Sequence, residues 1–74
     1  MNLRRNRFEK VAAKRVQDIL KKLSLLGNCS NRNNYEYNEE DIKLMFKALN
    51  AQLKRTEMKF QNNLEKSDKS KFKF

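Results

Sequence analysis

The stretch NEEDIKLMFKALNAQLKRTEMKF, residues 38–60, decides the fold. Ile42, Phe46, Leu49, Leu53, Thr56 and Phe60 are spaced 4, 3, 4, 3 and 4, and Met45 widens the row. At about 100° per residue these side chains fall on one stripe of an α-helix, a spacing no β-strand accommodates. Asn38 stands where a helix N-cap belongs, with a side-chain oxygen able to accept from an orphaned backbone N–H. Glu39, Glu40 and Asp41 follow in the first turn, where the helix dipole favours negative charge. The pattern predicts a helix over residues 39–60.

A second stripe precedes it. Ala12, Val16, Ile19, Leu23 and Leu26 are spaced 4, 3, 4 and 3; Phe8 extends the row backwards and Leu20 widens it. This predicts a helix over residues 3–26. Gly27, the only glycine, is placed to end it as a left-handed C′ residue. Lys21 and Lys22 suit the carbonyl pole of the dipole. Each helix measures about 33–36 Å at about 1.5 Å per residue. Two matching seams predict an all-α fold, an antiparallel two-helix hairpin over residues 1–60. Residues 61–74 then form a Lys-rich tail, low in complexity and expected to be mobile.

Between the helices lies a 12-residue connector, GNCSNRNNYEYN, residues 27–38. Five of its residues are Asn, which favours successive tight turns. Tyr35 and Tyr37 have two uses. One ring folding back over the open end of the hairpin is a packing role. The other use is contact, with rings stacking on bases or a partner while Arg32 and the Asn amides hydrogen-bond. The connector is far longer than the three- or four-residue turn of a helix-turn-helix.

Composition excludes much else. Of 74 residues, 38% are apolar and 36% charged, with no His, Trp or Pro and one Cys. His-based general bases and triads are impossible, and Cys29 alone builds neither a disulfide nor a Cys/His zinc site. Cys29 reads as a half-buried loop residue. Glu39, Glu40 and Asp41 do not converge on one helix face, so they read as dipole complement and not as a metal or acid/base site. No enzymatic activity and no cofactor are expected. No apolar run approaches the roughly 18 residues of a membrane span. The segment after Met1 is not of secretory type, and the lone Cys suits a reducing compartment, so a cytoplasmic location is expected.

Charge points to a partner. Eighteen Lys/Arg against nine Asp/Glu give a net charge of +9. Residues 1–23 carry +6, residues 24–41 carry −3, residues 42–60 carry +4 and residues 61–74 carry +2. Arg7, Lys10, Lys14 and Lys21 share the side of the first helix opposite its stripe, with Arg4 flanking. Lys43, Lys47 and Lys54 align on the second, and Lys43 to Arg55 contains no acid. Such rows neutralise phosphates with counterion release, giving affinity without base reading. Twelve Lys to six Arg favours backbone contact over bidentate base readout. The expected function is a nucleic-acid-associated accessory protein, with RNA or ribonucleoprotein slightly favoured over DNA. The candidate contacts are Arg4, Arg7, Lys10, Lys14, Lys21, Lys43, Lys47, Lys54, Arg32, Tyr35 and Tyr37. The competing expectation is an adaptor or inhibitor that binds a larger protein, anchored by Leu44, Met58, Tyr35 and Tyr37. An anionic lipid surface is a third, weakened by the absence of Trp.

Arg7-Phe8, Ala12, Arg15-Val16, Gly27-Asn28, Ser30-Asn31, Asn34-Tyr35-Glu36-Tyr37, Glu40, Phe46, Ala48-Leu49 and Phe60 form a pattern over residues 7–60. Its distinctive part is GNxSNxxNYEY. In these positions the chain resembles a family of small, mainly uncharacterised basic proteins of bacteria and their phages or mobile elements. The resemblance implies a prokaryotic or phage setting, as does the Lys- and Asn-rich composition. It carries across no catalytic or binding residue.

One seam per helix is a small core for so much ordered backbone. Val11, Leu25, Leu44, Met58 and Leu64 lie off the seams as read here and are available for a second interface. A homodimer or docking on a larger partner is therefore expected. The purified chain in dilute buffer should melt broadly, and more cooperatively as its concentration rises, when followed by circular dichroism. A sharp melt of a monomer, independent of concentration, would contradict this.

Overall fold

The protein is described by a computed structural model. It describes residues 2–70, with side chains for residues 2–66. Helix α1 spans Leu3–Gly27, a 3-10 turn spans Asn28–Ser30, and helix α2 spans Glu39–Ser70. The described residues include no strand, so the fold class is all-α. The chain divides between Glu36 and Tyr37 into two units, each built on one helix.

In the first unit, α1 begins at a side-chain cap. Asn2 Oδ1 accepts from the Arg5 N–H at 3.0 Å, and the Asn2 carbonyl accepts from the Asn6 N–H at 3.1 Å. The side-chain bond satisfies one of the donors that every helix start leaves open, and the carbonyl bond is the first regular bond of the helix. The signal was Asn2 itself, one residue ahead of the helix, which the stripe alone does not reveal. Along the exposed side, Arg5 Nε meets Glu9 Oε2 at 3.0 Å, and the same guanidinium lies 5.6 Å from the centre of the Phe8 ring.

The end of α1 differs from expectation. Gly27 is not left-handed: it has φ −58° and ψ −29°, and no described residue has a positive φ. Asn28 continues in the right-handed region, its N–H shared between the Leu25 and Leu26 carbonyls. The helix tightens into a 3-10 turn, and that tightening satisfies its last carbonyls without a chiral reversal. The chain turns away at Asn31, with φ −69° and ψ 106°. Cys29 is exposed on this turn instead of half-buried. At about 3.0 residues per turn, side chains of a three-residue 3-10 segment splay outward in different directions.

The connector then folds around one residue. Asn31 Oδ1 accepts from the Asn33 N–H at 3.0 Å. Its carbonyl accepts from the N–H groups of Asn34 at 3.1 Å and Tyr35 at 3.0 Å. The tight turns expected from the Asn content are present, organised by Asn31.

In the second unit, α2 starts as expected at Asn38. Asn38 Oδ1 accepts from the Asp41 N–H at 2.9 Å, and Asp41 Oδ2 accepts from the Asn38 N–H at 2.9 Å. This is a reciprocal capping box with Asp in the place more often held by Glu. The Ile42 N–H adds a bond to the Asn38 carbonyl at 3.3 Å.

The far end of α2 runs past Phe60 to Ser70. No Gly or Pro follows Phe60 to stop it, and Gln61, Leu64, Glu65 and Lys66 are good helix formers. Asn63, inside the helix, donates its side-chain amide back to the Lys59 carbonyl at 2.8 Å. Leu64 thereby joins the stripe one turn beyond Phe60 and is no longer an off-seam residue. The tail end, Lys71 to Phe74, lies outside the described residues.

No described residue is buried, and only Ala12, Leu26 and Tyr37 are half-buried. Both stripes are open on their own helices: Ile19 is 57% exposed and Leu53 68%.

Two substitutions test these ends. A Cβ at Gly27 would meet nothing within 4 Å, and its φ suits any L-residue. Gly27→Ala should stabilise the helical state by about 0.4–1 kcal/mol in urea titrations followed by circular dichroism. A loss of stability would mean that Gly27 is left-handed after all. Asn38→Ala should cost about 0.5–2 kcal/mol by the same measurement, since it removes one arm of the box outright.

Candidate nucleic-acid interface

On α1 the basic face follows from the pitch of the helix. Arg7, Lys10, Lys14 and Lys21 fall within an arc of about 60°, opposite the apolar stripe. They span about 21 Å along the axis at about 1.5 Å per residue. All four are exposed, as is the flanking Arg4. Lys14 is the paired member: its Nζ meets Asp18 Oδ2 at 3.3 Å, with the two side chains 77% and 61% exposed. An ion pair so open to solvent contributes at most about 1 kcal/mol and is screened by salt. Among the described residues, Arg7, Lys10 and Lys21 meet no carboxylate within ion-pair distance.

On α2, Lys43, Lys47 and Lys54 occupy an arc of about 40° and span about 16 Å. All three are exposed. Lys54 Nζ lies 3.9 Å from Glu57 Oε1, a loose pair between side chains 72% and 63% exposed.

The longer helix also reveals a row that sequence reading missed. Arg55, Lys59 and Lys66 align along another edge of α2, clear of the stripe, and all are exposed. Lys66 belongs to it only because α2 continues past Phe60; the available signal was the absence of any helix breaker after that residue. Arg55 is steadied by its own helix, its Nη2 donating to Gln52 Oε1 at 2.9 Å. Between the two rows of α2 run Leu44, Ala51 and Met58, with Leu44 68% and Met58 44% exposed.

In the connector, Arg32 is exposed at the tip of the turn. Tyr35 is 52% exposed, whereas Tyr37 is half-buried. Of the two rings, Tyr35 is the more open. Glu39, Glu40 and Asp41 occupy the first turn of α2, and Asp41 is engaged in the capping box. No described helix is long and apolar enough to cross a membrane.

The chemical capacity of these surfaces is electrostatic. Lysine rows bind anionic oxygens as point charges, with little directional demand and strong dependence on salt. Compared with protein-family models, with curated proteins and with solved structures, the chain matches none.

Proposed function

We propose that this protein is a small nucleic-acid-associated accessory protein that grips the phosphate backbone through its helical lysine and arginine rows. The observation that carries the reading is the set of exposed cationic rows, one on α1 and two on α2, with residues 42–56 free of any acid. A face that served only solubility would mix both signs. In the proposed arrangement the two stripes close on each other as an antiparallel hairpin, and a homodimer or larger partner covers what remains. The rows then point outward on opposite sides of a shared seam. RNA or a ribonucleoprotein is the favoured target over DNA, and the cytoplasm the favoured place. The bacterial or phage setting suggested by the Gly27–Tyr37 pattern belongs to the same proposal.

Salt dependence is the first test. If Arg7, Lys10, Lys14, Lys21, Lys43, Lys47 and Lys54 all neutralise phosphates of a single strand, log Kd against log salt should have a slope of about 5. Each Lys→Gln change in either row should lower that slope by about 0.7 in fluorescence-anisotropy titrations. Binding that ignored salt would rule out the mechanism. Replacing Lys14, Lys21, Lys47 and Lys54 together by Glu should abolish binding while the helical circular-dichroism signal persists.

A second reading has one observation in its favour: Leu44 and Met58 stand exposed between the two cationic rows of α2. Exposed apolar side chains are the usual anchors of a protein interface, and the flanking charge would steer encounter. Affinity capture from cells, with and without nuclease, separates the two readings. Partners that survive nuclease and are lost on Leu44→Ala would favour the adaptor; partners lost with nuclease favour the phosphate grip.

A further inference from the structure

Turn chemistry explains only some of the connector's asparagines. Asn31 and Asn38 each spend their side-chain oxygen on a backbone N–H, at 3.0 and 2.9 Å. Asn33 and Asn34 do not. Among the described residues their side-chain amides make no hydrogen bond, and their backbone is not left-handed, so the usual reasons for Asn at a turn do not apply to them. Their backbone is nevertheless held, since the Asn33 N–H bonds Asn31 Oδ1 and the Asn34 N–H bonds the Asn31 carbonyl. Tyr35 follows, its N–H fixed on the same carbonyl at 3.0 Å and its ring 52% exposed. Neither its ring nor its hydroxyl has a partner among the described residues.

We infer that Asn33, Asn34 and Tyr35 form a base-contacting site for single-stranded nucleic acid. The inference rests on the phosphate-gripping reading and deepens it by naming the part of the ligand that the connector takes. A primary amide presents donor and acceptor side by side, which matches the hydrogen-bonding edge of an unpaired base. A tyrosine ring supplies the stacking face, and every base has a π-face to lay on it. In a duplex both the faces and the pairing edges are already used, so the ligand is an unpaired strand, a loop or an end. The Asn31 turn orders the backbone of all three residues before the ligand arrives, so less conformational freedom is lost on binding. The site lies entirely within the first unit, on the same unit as the basic face of α1.

The test uses the full chain carrying Tyr37→Phe, first matched to the unaltered chain in circular dichroism and in single-strand Kd. With no Trp and two Tyr in the sequence, this leaves Tyr35 as the sole tyrosine fluorophore. The probes are an oligouridine RNA, an oligothymidine DNA and a duplex of equal length, and the readouts are the Tyr35 fluorescence lifetime and Kd from anisotropy. Either single strand should shorten the lifetime; the duplex should not. In the otherwise unaltered chain, Tyr35→Ala should weaken single-strand binding by about 5- to 150-fold, and Tyr35→Phe should restore most of it. Asn33→Ala with Asn34→Ala should also weaken binding while leaving the salt slope and the circular-dichroism spectrum unchanged, because neither amide holds the turn. Salt-dependent binding with an unchanged Tyr35 lifetime and no loss on Tyr35→Ala would overturn the base contact and leave the phosphate grip standing. Equal affinity for the duplex would do the same. Absence of salt-dependent binding to every probe would overturn both.

Discussion

An apolar stripe left open on each of two helices is the constraint from which the rest follows. Each helix is closed locally, by its own backbone bonds and by an Asn at its start. Local closure does not make a stable protein: isolated helices in water are marginal, and most helical stability comes from covering an amphipathic face. Phe8, Val16, Ile19 and Leu23 on α1, and Ile42, Phe46, Leu49 and Leu53 on α2, are that face, and each is exposed on its own helix. The hydrophobic effect therefore bears on what covers the stripes far more than on what forms the helices. That is why the proposal includes a hairpin and a second copy or partner beyond it.

The same sequence period that segregates the apolar residues segregates the charge. A residue type that recurs every three or four positions is sorted onto one side of a helix whether it is greasy or cationic. On α1 this sets Arg7, Lys10, Lys14 and Lys21 opposite the stripe. On α2 it makes two basic rows, with Leu44, Ala51 and Met58 between them. Among the described residues, the three ion pairs within the helices, Arg5–Glu9, Lys14–Asp18 and Lys54–Glu57, are all solvent-exposed, so they trim the field without extinguishing it. Four of the remaining six acids gather at residues 36–41, where Asp41 closes the capping box and Glu39 and Glu40 complement the dipole of α2.

The connector separates two jobs that composition alone merges. Asn31 and Asn38 act on the backbone, one organising the turn and the other starting α2. Asn33, Asn34 and Tyr35 face outward with their polar and aromatic groups unspent. Tyr37, two residues on, is half-buried. Five Asn and two Tyr in twelve residues thus resolve into scaffold and surface, and the hydrogen-bond partners are what divide them.

Helix content, the start of α2 and the faces bearing the cations were legible in the sequence, because each depends on spacing and on short-range hydrogen bonds that residue type dictates. Asn38 is the clearest instance: an Asn ahead of three acids and an apolar period leaves little else for the backbone to do. The fate of Gly27 was not legible, since glycine permits either hand and only the bonds of the residues after it select the right-handed 3-10 ending. Nor was the end of α2, where the stripe thins after Phe60 while helix propensity carries the chain on to Ser70. Which tyrosine is open and which lysines hold carboxylates depends on where side chains come to rest in three dimensions. Periodicity places a residue on a face; only the folded chain decides what meets it there.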